Sequence, residues 1–82
     1  MNQNEIEQFV LKYGRDILRF CRITAGEIEA GDDLYQDTML KLTEKRQILR
    51  PDQNTKSYTL SISFLICRYR RLLKYFTFRK ER

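Results

Sequence analysis

Gly31–Glu44 reads GDDLYQDTMLKLTE, and its periodicity decides what kind of fold the chain builds. At about 100° per residue in a helix, Leu34, Thr38 and Leu42 fall on one side while Asp33, Gln36, Asp37, Leu40 and Glu44 gather on the other. The first side is a narrow apolar stripe of the kind that packs into a small core. The second is acidic and amide-bearing with a single leucine in its middle, a pattern that suits a docking surface, although exposed Asp, Gln and Glu on a helix are ordinarily just solvated.

Upstream, residues 4–24 repeat apolar positions at threes and fours (Ile6, Phe9, Val10, Tyr13, Ile17, Phe20, Cys21, with Thr24), the spacing of a core-facing helix. Asn4 is the expected N-cap, with Glu5 and Glu7 in the first turn where the helix dipole favours negative charge. Leu11 and Leu18 fall off the stripe and read as exposed apolar surface. Gly14 inside the helix costs about 1 kcal/mol relative to alanine and points to close approach by a neighbour. Gly26 stops the helix. Residues 25–31 then form the connection, with room for one short helical turn at Ile28 and Ala30, and Asp32 or Asp33 caps a second helix expected over 32–47.

Downstream, the loop 48–54 contains Arg50-Pro51-Asp52, where proline ends helical continuity and restrains the residue before it. Asn54 is the expected N-cap of a third helix over 55–76. Tyr58, Ile62, Leu65, Ile66, Tyr69, Leu72, Leu73 and Phe76 cover a face roughly 120° wide, expected to be its core side. The opposite side interleaves Lys56, Leu60, Phe64, Cys67, Arg71, Lys74 and Tyr75, a mixture that fits either unpaired DNA, with bases on rings and cations on phosphates, or a protein groove. The tail from Thr77 to Arg82 is mostly charged and is expected to fray.

Composition agrees with one small all-α domain, a compact bundle of three main helices over residues 1–82. One proline and three glycines are too few for a turn-rich β fold. Charge is segregated: residues 1–55 hold eight Lys/Arg against ten Asp/Glu, whereas residues 56–82 hold eight Lys/Arg against Glu81 alone. Such division implies two partners, and a basic end suits nucleic acid or an anionic membrane surface. Cys21 and Cys67 lack CxxC spacing and the chain has no histidine, so no metal site is expected and the cysteines read as free thiols of a reducing cytoplasm. No signal peptide is evident, and no apolar run approaches the roughly 18 residues of a membrane span. An enzyme is the least expected class: there is no Ser/Cys–base pairing, no Gly-rich phosphate loop, and no cofactor is implied.

Asp33-Leu34-Tyr35-Gln36-Asp37 is similar to D-L-x-Q-[DE], the pattern of the core-polymerase-binding helix in bacterial sigma-70 family factors. The Tyr13–Phe20 run upstream and Lys56-Ser57-Tyr58 opening a basic helix downstream stand in the same order. The whole chain therefore resembles region 2 of the extracytoplasmic-function (ECF) group of sigma factors, a cytoplasmic bacterial transcription factor family. The resemblance implies that Asp33, Gln36, Asp37, Leu40 and Glu44 bind the beta-prime clamp of core RNA polymerase. It implies too that Arg50, Asp52 and Asn54 in the loop, with Lys56, Phe64, Arg68, Arg71 and Lys74 on the third helix, recognise and melt the promoter −10 element.

The match departs from the family at two places: Tyr58 stands where tryptophan is common, and Phe64-Leu65 replaces a frequent Arg-Asn pair, which implies a changed −10 preference. In the family a helix-turn-helix region 4 domain follows, and these residues supply none. That points to a shortened chain or to a separate region 4 partner. The alternative reading is a region 2-like protein-interaction subunit, a split sigma factor or anti-sigma target that does not bind DNA alone. A third is a basic amphipathic helix over residues 68–82 on an anionic membrane.

Overall fold

Asn2 begins the first helix, two residues before the expected cap at Asn4. Its side chain accepts from Glu5 N–H (2.8 Å) while the Glu5 carboxylate accepts from Asn2 N–H (3.0 Å). This reciprocal box satisfies two N-terminal donors; Asn4, with Glu7 three residues on, offers the same spacing, and the box that forms is the one two residues earlier. The computed structural model describes the backbone of residues 1–80 and the side chains of residues 1–74. The places expected for Tyr75, Phe76 and the tail side chains lie outside the described residues. Helix α1 spans Gln3–Ala25, α2 Ile28–Glu44 and α3 Gln53–Lys80, with a single 3-10 turn at Arg46–Ile48, and the described residues contain no strand. The fold is an all-α three-helix bundle.

Helix α1 ends as expected at Gly26, whose φ of 88° lies in the left-handed region and whose N–H reaches the Arg22 carbonyl at 2.9 Å. Only two residues separate it from α2, so Gly31, Asp32 and Asp33 lie inside the second helix and not at its cap. The reason is steric. A Cβ on Gly31 would stand 2.4 Å from Arg22 Cα and 2.8 Å from Arg22 N, which makes Gly31 the contact that lets α1 and α2 cross tightly beside their turn. Gly14 serves similarly against Tyr35, whose hydroxyl oxygen a Cβ there would meet at 3.2 Å. Asp32 accepts a bond from Arg22 Nε at 2.8 Å instead of capping.

The third helix is capped by Asp52, whose carboxylate accepts from Thr55 N–H at 3.0 Å. Asn54, the expected cap, lies in the first turn. Thr55 Oγ1 donates back to the Arg50 carbonyl, closing the turn after Pro51. The Met1 ammonium donates to the carbonyls of Arg46 and Leu49 (2.8 Å to Leu49), which fixes the start of α1 against the connection between α2 and α3.

Phe9, Ile17 and Cys21 from α1 meet Leu34 and Leu42 from α2, each at most 1% exposed; burying a large apolar side chain of this kind stabilises by about 1.5–3 kcal/mol. The expected Leu34–Thr38–Leu42 stripe faces this core. Helix α3 does not turn its expected face inward. Its buried line is Thr55, Thr59, Ser63 and Cys67, while Tyr58, Leu65, Tyr69, Leu72 and Leu73 are exposed; Ile62 and Ile66 are half-buried on the boundary. Small side chains at four-residue spacing let the helix axes approach more closely than leucines and tyrosines would. Their hydroxyls remain satisfied: Thr59 donates to the Thr55 carbonyl (2.7 Å), and Ser63 Oγ is shared with Thr38 Oγ1 (2.9 Å) and Cys21 Sγ (3.3 Å). Every buried side-chain nitrogen and oxygen among the described residues has a partner.

Gly31→Ala is expected to destabilise the fold by about 3 kcal/mol, because the methyl meets Arg22 backbone atoms that cannot swing away. Urea unfolding followed by circular dichroism measures this, and a stability within error of wild type would contradict the tight crossing.

Candidate functional site

Burial of Leu34, 1% exposed, orients α2 so that its acidic strip faces outward. Gln36, Leu40 and Glu44 are exposed along it, Leu40 with 58% of its surface in solvent. Asp33 and Asp37, one turn apart, share the guanidinium of Arg70 on α3: Arg70 Nη1 lies 3.0 Å from Asp33 Oδ2, and Nη2 contacts Asp37 Oδ2. A two-pronged cation bridging carboxylates at i and i+4 uses the fixed fork of arginine. Since all three side chains keep solvent contact, the bridge is worth at most about 1 kcal/mol and leaves the acids exchangeable. Lys41 and Glu44 form a looser ion pair at 3.7 Å. The five residues expected to bind a protein partner thus lie together on one helix surface.

The residues expected to contact DNA are more scattered. Arg50 and Asn54 are exposed beside the α3 N-terminus, and Asp52 is committed to capping it. Lys56 pairs with Asp16 of α1 at 3.0 Å and lies 5.6 Å from the Tyr13 ring centroid. Arg71 donates to the Thr24 carbonyl at 2.9 Å, satisfying an orphan acceptor at the α1 C-terminus. Arg68 and Lys74 are exposed. Phe64, 51% exposed, stands in a shallow hollow with Phe20, Leu60 and Leu65. From Lys56 to Lys74 the set extends over about 27 Å of helix. Lys56, Phe64, Arg71 and Lys74 share one side of α3, next to α1, so the arrangement is an elongated strip.

Arg70 is the residue that sequence reading missed. Its signal was present in two acids spaced four apart, which repel unless a cation lies between them, but which of sixteen Lys/Arg supplies it depends on how α3 is rotated. Three groups among the described residues titrate away from their ordinary values: burial pushes up the Tyr35 hydroxyl and the Cys21 thiol, and Asp16 moves the other way. The Cys21 thiol is pushed up by burial, against the pull of its bonds with Ser63 and Thr38. The Asp16 carboxyl is held below its ordinary 3.8 by the hydrogen bond from Lys56 and by that ammonium's charge.

Because folding lowers the Asp16 pKa, its contribution to stability is complete above 3.8 and disappears as pH falls through the depressed folded value. Asp16→Asn is therefore expected to be less stable than wild type near neutral pH, with the gap closing in acid below 3.8. Paired denaturation curves across that range check this, and a gap independent of pH would remove the Lys56–Asp16 contact as its cause.

Comparison of the chain with protein-family models, with curated proteins and with solved structures returns no match, so what this surface does is read from its own chemistry and from the pattern it resembles.

Proposed function

We propose that the chain is a transcription-initiation module of the sigma region 2 type, binding core RNA polymerase through α2 and promoter −10 DNA through the loop before α3 and the basic side of α3. The observation that carries this reading is the outward strip of α2, where Asp33, Gln36, Asp37, Leu40 and Glu44 lie together and the Asp33–Asp37 pair already holds a guanidinium. Arg70 stands where a basic side chain of the polymerase clamp would bind. Exchange of one guanidinium for another changes few hydrogen bonds, and Leu40 offers the apolar centre that gives such a contact its affinity. No covalent chemistry is involved.

On the DNA side, Arg68 and Lys74 are exposed and make no ion pair among the described residues, so they are the cations most ready to neutralise phosphates. Phe64 presents a ring on which an unpaired base can stack, worth about 1–3 kcal/mol. Strand opening by such a surface is differential binding: single strands engage ring and cations together, and duplex does not.

A specific observation favours the second reading, a protein-interaction subunit that does not bind DNA alone. Lys56 and Arg71 are both engaged within the bundle, leaving the DNA strip with few free cations. Among the described residues no helix is long and apolar enough to cross a membrane.

Calorimetric titration against a beta-prime clamp fragment tests the polymerase contact. Gln36→Ala combined with Leu40→Asp, both at exposed positions, is expected to weaken binding more than tenfold with the helical spectrum unchanged. Absence of binding by the folded wild type, or full affinity in the variant, would overturn the reading. For DNA, the slope of log affinity against log salt on a −10 single strand is expected to become shallower by about 0.7 for each of Arg68→Ala and Lys74→Ala. Undetectable DNA binding alongside retained polymerase binding would select the second reading.

A further inference from the structure

Tyr58, Ile62, Leu65, Tyr69 and Leu72 recur at alternating intervals of four and three residues along α3, the a/d repeat by which one helix packs along another. Here the repeat faces away from the bundle. Ile62 is half-buried at its edge, whereas Leu65 and Tyr69 are 61% and 63% exposed. Leu40 of α2 and Leu73 extend the seam into an open groove of about 470 Å³ between α2 and α3, with Lys41 on its rim. From Tyr58 to Leu72 it runs about 21 Å, four turns of helix. Contiguous apolar surface of this length marks an interaction site on a soluble domain.

The charge around the seam says what covers it. From Gln53 to Lys74, α3 carries no acid. Of its five cations there, Lys56, Arg71 and Lys74 lie on the α1-facing side, and Arg70 is neutralised by Asp33 and Asp37 at the α2 wall of the groove. Arg68 is left beside the seam with no ion pair among the described residues. Arg68 follows Leu65 by three residues and precedes Leu72 by four, which places it at the outer edge of the seam, opposite Lys41 of α2. We propose that this groove is the docking site for an acidic amphipathic helix of a partner protein, with apolar residues at three-and-four spacing and Asp or Glu flanking them toward Arg68 and Lys41. A second copy of the chain fits less well, since pairing α3 with α3 brings two acid-free helices together. A lipid surface fits less well too, because the seam opens into a groove between two helices, whereas a helix lying on a membrane presents a convex apolar face. The inference stands apart from the polymerase reading and shares with it Leu40 and Asp37, which line the α2 wall of the groove.

The experiment uses the whole chain and two synthetic peptides of about three heptads, both with Leu at a and d, one with Glu at e and g and the other with Lys there. In calorimetric titration the acidic peptide is expected to bind, and the basic one at least tenfold more weakly. Leu65→Lys combined with Tyr69→Lys is expected to abolish binding; because this variant adds two cations, loss cannot come from weakened general attraction. Arg68→Glu is expected to reduce affinity several-fold. Both variants change exposed side chains, and circular dichroism checks that they fold. No binding of the acidic peptide by folded wild type, equal affinity for both peptides, or undiminished binding by the double variant would overturn the proposal. So would a dimer in sedimentation, or uptake by phosphatidylglycerol vesicles, that the double variant abolishes, since either assigns the seam to another occupant.

Discussion

Three small polar side chains meet where the helices cross: Cys21 from α1, Thr38 from α2 and Ser63 from α3, linked by Ser63 Oγ to Thr38 Oγ1 at 2.9 Å and Cys21 Sγ at 3.3 Å. All three are fully buried. A hydroxyl in an apolar interior is costly unless bonded, and here the two hydroxyl protons are divided between the Thr38–Ser63 contact and the carbonyls of Leu34 and Thr59 one turn earlier, while Ser63 Oγ accepts from the Cys21 thiol. That requirement fixes the rotation of α3. Turning it to bury Leu65 and Tyr69 would break the shared bonds and wedge the helices apart.

The rest of the architecture follows from that rotation. With Thr55, Thr59, Ser63 and Cys67 inward, Arg70 comes alongside α2 and spans Asp33 and Asp37, while Arg71 reaches the α1 C-terminus at Thr24. The long apolar series of α3 is left at the surface. A core built from small groups buries less apolar area than one built from leucines, so at 82 residues the bundle relies on close contacts such as Gly31 against Arg22 and on capping at Asn2 and Asp52.

Functionally, the same rotation divides the surface into three strips. The outward side of α2 is acidic with a leucine at its centre, the α1-facing side of α3 is basic with Phe64 in it, and the seam between α2 and α3 is apolar. Two of these strips are partly occupied from within, by Arg70 on the acids and by Asp16 on Lys56. Such contacts tie the helices together, and because their side chains keep contact with solvent each contributes little to stability.

Helix number, the stop at Gly26, the Leu34–Thr38–Leu42 stripe and the outward acidic strip were legible in the chain, because each depends on neighbours within a turn or two and on a 3.6-residue period. The caps were misplaced by two residues because Asn2 with Glu5 and Asn4 with Glu7 offer the same capping spacing, and Asp52 competes with Asn54 beside the Pro51 turn. The α2 start was misplaced because glycine signals both a helix end and a close crossing; Gly26 is the first and Gly31 the second, a distinction made by Arg22 of another helix. The orientation of α3 was the largest departure. An apolar face at helical spacing marks where a helix can pack, not whether its own chain supplies the partner. Only the fit of Ser63 against Thr38 and Cys21, residues 25 and 42 positions away, chooses the polar line over the apolar one.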